Sequence, residues 1–204
     1  MSVDCGIHAR EWASPAYCQW FINNLLNGDF AAYTSDIKFL VQPIVNPDGY
    51  QYTHNNDRMW RKNRKPNEGS RCVGTDLNRN YAAKWSGVGA SGNACAENFY
   101  GPGEFSELES SSQRDYLTPF MNSGDLKAFL TFHSYGQYIL YPYSYDFTSK
   151  PPNGNELNSV GAGMKTAIAN QSGKSYTMGQ GTDVLYPAAG NNLIRTIQAI
   201  FRRL

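Results

Sequence analysis

The sequence has no apolar run long enough to cross a membrane, and its charges nearly cancel. Its 204 residues include 18 Lys and Arg and 17 Asp and Glu, for a net charge of +1, with no basic or acidic block. A membrane helix needs about 20 apolar residues. Nucleic-acid-binding surfaces typically show a basic excess. The sequence therefore predicts neither a membrane nor a nucleic-acid partner. Met1 and Ser2 lead directly into a predicted core strand, so no signal peptide is predicted either.

Internal repeats and linker-like stretches are also missing, which favours a single domain. The composition, 41% hydrophobic and 14% aromatic, is sufficient for one packed core. Acidic residues are absent from the end of the chain, because no Asp or Glu follows Asp183. The last segment therefore offers no acidic side chain.

The spacing of apolar residues predicts an α/β domain. Short apolar runs predict strands at residues 3–7, 37–44, 126–132 and 138–141, and a short extended stretch at residues 182–186. Helical spacing predicts a helix that begins at Ser14 as N-cap, further helices at residues 107–121 and 156–169, and an amphipathic helix in residues 191–204. The sequence predicts a turn at residues 46–49 and a long functional loop over residues 50–103. These elements predict a mixed central β-sheet flanked by helices.

Three residues of types that bind metal ions lie at or just after the ends of two predicted strands. His8 and Glu11 lie in the loop between the first strand and the first helix, and His133 ends the strand at residues 126–132. Two imidazoles and one carboxylate leave a fourth position for water, which is the ligand count of a catalytic zinc site. A His-x-x-Glu pair is common by chance, and a solvated pair at a helix start is its ordinary alternative.

Several motifs together resemble the zinc metallocarboxypeptidases of the A/B subfamily. They are Gly-Ile-His-Ala-Arg-Glu-Trp at residues 6–12, Asn78-Arg79-Asn80 and His133-Ser134-Tyr135, in this order. Supporting segments are residues 43–50, 58–62, 140–143 and 185–187. The resemblance runs from residue 3 to residue 190. It implies a partial peptidase domain over residues 1–190, an α/β fold of the zinc carboxypeptidase type, and a non-homologous tail over residues 191–204.

The resemblance also implies the roles of individual residues. His8, Glu11 and His133 would hold one Zn²⁺ per chain, and Arg61 would stabilise the oxyanion that forms during peptide hydrolysis. The substrate, the carboxyl end of a peptide or protein, would contact Arg10, Asn78, Arg79, Ser134, Tyr135 and Tyr186. Ser134–Tyr135 and Pro142–Tyr143 would be cis peptides. Taken singly, the residues around Arg61 could be a solvated basic stretch, Asn78 and Arg79 ordinary turn residues, and Tyr186 a packing residue.

The four cysteines bear on compartment and on substrate preference. By the resemblance, Cys5 pairs with Cys18 and Cys72 with Cys95, as in a secreted monomeric enzyme; four buried free thiols are the alternative. The first pair is more typical of B-like members, which favours removal of a terminal Lys or Arg. Ser144 would line part of the specificity pocket.

Both ends of the sequence depart from the family pattern. The family has strands and a helix before the metal loop. After Gly190 it continues through a specificity-pocket segment to a strand that carries the catalytic Glu. The chain is therefore expected to be an incomplete domain of weak or no activity. The main alternative is a non-catalytic relative that binds zinc and peptide. A zinc deacylase of the same broad fold is disfavoured by the full set of Arg61, Asn78 and Arg79.

Overall fold

The computed structural model describes residues 1–192 and 197–201. In these residues six strands form one mixed sheet in the order β2-β1-β3-β6-β4-β5. The strands are β1 (Ser2–Cys5), β2 (Leu40–Gln42), β3 (Phe129–Ser134), β4 (Tyr138–Tyr141), β5 (Thr177–Gln180) and β6 (Ile197–Phe201). Only β4 and β6 pair antiparallel; the other neighbours are parallel.

Helices cover both faces of the sheet. They are α1 (Ala13–Asn27), α2 (Pro47–Asn55), α3 (Leu108–Asn122), α4 (Gly154–Ser172) and the single turn α5 (Gly181–Val184). Val3 and Phe132 point to the face that packs against Phe21 of α1. Phe129, an odd number of residues from Phe132, points to the other face and packs against Leu117 of α3. The predicted mixed sheet flanked by helices is confirmed.

Most predicted elements are present, with changed boundaries. The helices predicted at residues 107–121 and 156–169 are α3 and α4, and the strand at residues 138–141 is β4. The strand predicted at residues 37–44 is reduced to Leu40–Gln42, ending before Pro43, which has no N–H for a sheet hydrogen bond. Three local predictions are wrong. The N-cap of α1 is Trp12 and not the predicted Ser14. The turn at residues 46–49 begins α2, where Asn46 caps Gly49 N, and the stretch at residues 182–186 overlaps α5.

The amphipathic helix predicted for residues 191–204 is also wrong where the structure describes that segment. Residues 197–201 form β6, which lies between β3 and β4 and pairs with both. Apolar residues at helical spacing do not exclude a strand, and here the free backbone groups of two neighbouring strands supply the pairing that favours one. Residues 193–196 and 202–204 lie outside the described residues.

No helix in the described part of the chain is long and apolar enough to span a bilayer.

Candidate active site

The three predicted metal ligands come from two neighbouring parallel strands. β1 ends at Cys5, and the loop from there to α1 carries His8 and Glu11. His133 is the penultimate residue of β3, which pairs with β1 in register. Because the carboxyl ends of parallel strands meet at one edge of a sheet, the three side chains reach the same place.

The side-chain atoms of these residues converge on one point. His8 Nδ1 lies 2.8 Å from Glu11 Oε1, and His133 Nδ1 lies 2.9 Å from Glu11 Oε2. The two Nδ1 atoms are only 3.1 Å apart. All three residues are buried, and their ligating atoms lie within 4.8 Å of one another. Electron-pair donors gathered so closely, with little access to water, fit a bound cation. Two imidazoles and a carboxylate are a donor set that suits zinc.

A carboxylate that the sequence did not single out supports this cluster. Asp76 is fully buried, and its Oδ1 lies 3.1 Å from His8 Nε2, the ring nitrogen opposite the convergence point. Asp76 Oδ2 accepts from Arg61 Nη2 at 2.8 Å and from Arg61 Nε at 3.1 Å. A carboxylate behind a ligating histidine fixes the tautomer and the orientation of the ring. In the sequence, only its place two residues before Asn78 pointed to Asp76. The structure shows that Asp76 is the N-cap of the turn that carries Asn78 and Arg79.

Burial and charge act in opposite directions on the carboxylates of the site. Burial raises the pKa of Glu11, but the charges and hydrogen bonds of His8 and His133 outweigh it and lower the pKa below its usual range. Burial likewise raises the pKa of Asp76, and Arg61 together with His8 brings it well below the usual value. Burial lowers the pKa of His133 and so favours neutral imidazole. Ionised carboxylates and neutral histidines are the protonation states in which these groups bind metal.

Arg61, Asn78 and Arg79 line the same cleft as the cluster. Arg61 Nη1 lies 3.9 Å from Glu11 Oε1 while the guanidinium is held by Asp76. Asn78 and Arg79 lie on a 3-10 turn, Leu77–Arg79, and both are buried. Arg79 donates from Nε to Gly89 O and from Nη1 to Asn78 O. These contacts hold a cation at a fixed place near the converging donors.

The cleft has a volume of about 790 Å³ and opens at the carboxyl edge of the sheet. Arg10, Ser134, Tyr135 and Tyr186 all line it, so the structure brings every predicted site residue into one cavity. Ser144 lines it as well. Tyr135 and Tyr186 are exposed at its rim, with 75% and 56% of their surface accessible. Arg10 Nη1 donates to Met59 O and to Glu97 Oε2, each at 3.0 Å.

The covalent features expected from the motifs are present. Cys5 is bonded to Cys18 and Cys72 to Cys95, with Cα separations of 6.2 and 5.1 Å, so no free thiol remains. Ser134–Tyr135 and Pro142–Tyr143 are both cis peptides. Both predicted disulfides and both predicted cis bonds are confirmed.

Comparison with known proteins gives one family. The model of the peptidase M14 family, described as zinc carboxypeptidase, matches residues 1–193. Carboxypeptidase B of Bos taurus is 45% identical over 195 residues, which are 93% of this chain and 46% of that protein. Human carboxypeptidase O is 41% identical over 195 residues, which are 93% of this chain and 51% of that protein. The chain thus spans about half the length of the curated relatives that it matches.

A solved structure agrees with the sequence comparison. Bovine thrombin-activatable fibrinolysis inhibitor, in complex with tick carboxypeptidase inhibitor, superposes with a TM-score of 0.89 at 39% identity. The match covers all of this chain and 71% of that one. The family model, the relatives and this superposition agree with the clustered site residues, and the chain belongs to the zinc carboxypeptidase family.

Proposed function

We propose that this chain carries the metal site and substrate clamp of a zinc-dependent metallocarboxypeptidase, which removes the C-terminal residue of a peptide or protein. The observation that carries the proposal is the convergence of His8, Glu11 and His133 beside Arg61, in the cleft that Asn78 and Arg79 also line. Zinc bound there would polarise the scissile carbonyl and lower the pKa of its bound water to about 7.

The residues of the chain contribute by position and charge. Arg61, fixed by two hydrogen bonds to Asp76, presents a cation to the oxygen that becomes negative during hydrolysis. Arg79 and Asn78 bind the terminal carboxylate, for which a guanidinium provides a matching pair of donors. Asn78 is oriented for this role, because its Oδ1 accepts from Asn192 N at 3.2 Å, and among the described residues its amide nitrogen donates to no other group. A fixed cation at one distance from the metal restricts cleavage to the chain end.

The remaining cleft residues would hold the rest of the substrate. Tyr186, exposed at the rim, would cover the bound terminal residue, while Arg10, Ser134 and Tyr135 contact residues further along the peptide. We extend the proposal to a secreted monomer. The two disulfides support secretion, and the monomeric state rests on the family resemblance alone. The preference for a terminal Lys or Arg rests on the Cys5–Cys18 pair and on the similarity to carboxypeptidase B.

One observation favours a second candidate, a relative that binds zinc and peptide without turnover. Of the described side chains that line the cleft, Glu11 is the only carboxylate, and the proposal already uses it as a metal ligand. The strand β6, next to β3, has the sequence Ile-Gln-Ala-Ile-Phe and contains no acidic residue. A general base is therefore not provided by these elements.

Metal content tests the core of the proposal. We expect one zinc per chain after purification and dialysis, measured by plasma emission spectrometry, and a marked loss in His133→Ala. His54→Ala is the matched control, since His54 is exposed on α2 and stacks on Trp12 outside the cluster. Equal zinc content in the His133→Ala and wild-type proteins would rule out the assigned ligand set.

A further inference from the structure

Ser14, which the sequence suggested as a helix cap, does not cap α1. The N-cap of α1 is Trp12, and Ser14 lies inside the first turn with no exposed surface. Its hydroxyl accepts from Gly6 N at 2.9 Å and donates to Phe132 O at 2.5 Å. A serine in the first turn of a helix that bonds to two strand ends has a role other than helix initiation.

Ser14 has a hydrogen bond to each segment that carries a predicted metal ligand. Gly6 precedes His8 by two residues, and Phe132 is the residue directly before His133. The backbone N of Ser14 donates to Glu11 O at 3.0 Å. One residue therefore connects the positions of His8, Glu11 and His133, although it contacts none of their side chains in these bonds.

The backbone at this point leaves little freedom for another arrangement. Gly6 has a φ of +68°, where the chain leaves β1, and a Cβ there would approach Pro15 Cγ to 3.0 Å. The two hydrogen bonds of the Ser14 hydroxyl connect this turn, through the Gly6 N–H, to the end of β3 at Phe132 O. Both groups are buried, so water cannot substitute for the hydroxyl without rearrangement.

We propose that Ser14 is a positioning residue that sets the separation of the three ligand-bearing segments and thereby the zinc affinity of the site. The proposal rests on the proposed function, because it requires zinc at His8, Glu11 and His133. Zinc holds its ligands at about 2.0–2.2 Å for nitrogen and oxygen, so small displacements of the backbone weaken binding. Residues that orient metal ligands typically contribute 10–100-fold to metal affinity.

Ser110 provides a matched control for the loss of a buried serine hydroxyl. It is fully buried in the first turn of α3, and its Oγ donates to Asn80 Oδ1 at 2.6 Å and to Glu107 O at 3.0 Å. It has no hydrogen bond to the three ligand segments in the described chain. Ser110→Ala and Ser14→Ala should therefore both lower the melting temperature of the metal-free protein, but only Ser14→Ala should weaken zinc binding.

The experiment measures the zinc dissociation constant by competition with a chromophoric chelator, for wild type, Ser14→Ala, Ser14→Thr and Ser110→Ala. We expect about 10–100-fold weaker binding in Ser14→Ala, with Ser110→Ala and the hydroxyl-retaining Ser14→Thr close to wild type. The visible absorption of Co²⁺-loaded protein should change in Ser14→Ala alone, because the ligand geometry changes.

Three results would overturn the inference. They are wild-type zinc affinity in Ser14→Ala, an equal loss of affinity in Ser110→Ala, and a Ser14→Thr protein that binds as weakly as Ser14→Ala. If the wild-type protein binds zinc through His133 and one of these results is found, only the inference on Ser14 fails. If the wild-type protein binds no zinc, the proposed function fails with it.

Discussion

Arg79 shows how a single side chain can serve both the local structure and the proposed substrate. Two of its donors satisfy backbone carbonyls of Gly89 and Asn78, which fixes the guanidinium at the cleft. A substrate carboxylate there would form charge-assisted hydrogen bonds, which are stronger than neutral ones because both partners are charged. The orientation of Arg79 is thus set before a peptide arrives.

Replacing Arg79 with Met should weaken the binding of a peptide with a free carboxyl end by about 10–100-fold, the effect of one or two hydrogen bonds to charged groups. Calorimetry on the zinc-loaded protein measures this, with the C-terminally amidated peptide as a second ligand. The amidated peptide should bind wild type and variant equally weakly. Arg114→Met is the control, because Arg114 pairs with Asp115 on exposed α3. If Arg79→Met bound the free peptide as tightly as wild type does, the clamp assignment would be wrong.

Asp4 is a buried carboxylate outside the proposed chemistry. It lies on β1 with no exposed surface, and its Oδ2 accepts from Gln113 Nε2 at 2.8 Å. Burial raises its pKa to about 6, while hydrogen bonds from Thr131, Gln113 and Asn192 oppose the rise. The folded chain therefore binds a proton on Asp4 more tightly than the unfolded chain does, and ionised Asp4 destabilises the fold.

The free energy of unfolding should therefore depend on pH in a direction that the raised pKa of Asp4 determines. Well below pH 3.8, the ordinary pKa of Asp, both states hold the proton, and Asp4 does not contribute to the pH dependence. The free energy of unfolding should fall as pH rises from about pH 3 to above pH 7, by about 3 kcal/mol in total from Asp4 alone, and most of this fall should lie between about pH 4 and pH 6. Asp4→Asn removes the titration, so urea unfolding from pH 4 to pH 7 should show a smaller fall in the variant. Parallel pH profiles for the two proteins would contradict the raised pKa of Asp4.

At the scale of elements, the sequence predicted correctly the helices and strands whose residue pattern is visible within the element itself. α3 and α4 have helical spacing over many residues, and β4 is a short apolar run, so these were found. β6 was missed, because its strand conformation depends on pairing with β3 and β4, which are distant in sequence. The start of α2 was missed because Asn46 and Pro47 are as typical of a turn as of a capped helix.

The same distinction applies to the site. His8, Glu11 and His133 were found through family motifs and their places at predicted strand ends. Asp76 was not singled out, and Ser14 was predicted only as a helix cap, because the contacts that distinguish them span 68 and 118 residues of sequence. Neither residue type is unusual where it stands, so only the folded chain shows which segments these side chains connect.

The long segment between α2 and α3 depends on the Cys72–Cys95 disulfide for part of its stability. It has little regular structure beyond the turn at Leu77–Arg79, and the bond closes a sequence separation of 23 residues. Loop closure of this length stabilises by about 3 kcal/mol in the chain-entropy model. The Cys72→Ser, Cys95→Ser double variant should therefore lose about this much free energy of unfolding in urea, with Cys5–Cys18 intact. An unchanged unfolding midpoint and slope would show that the loop needs no cross-link.

On the scale of the whole molecule, the sheet places all its proposed functional groups at one edge. The proposed metal ligands lie at the carboxyl ends of β1 and β3, and the irregular segment after α2 brings Arg61, Asn78 and Arg79 into the same cleft. Binding of zinc and of a carboxylate needs only these groups. Hydrolysis needs a base as well, and the sequence holds no Asp or Glu after Asp183. Asp183 itself is exposed and pairs with Lys150.

Binding and turnover should consequently separate in this chain. General acid–base groups typically contribute 10²–10⁴-fold to a rate, so we expect turnover of a blocked dipeptide with terminal Arg to lie at least about 10²-fold below that of bovine carboxypeptidase B. Zinc content and carboxylate binding should remain, because the residues proposed for both all line the described cleft. The measurement is kcat for zinc-loaded residues 1–204 beside the bovine enzyme, with His133→Ala as the blank. A kcat within tenfold of the bovine value would mean that another group of this chain acts as the base, and the non-catalytic alternative would then be excluded.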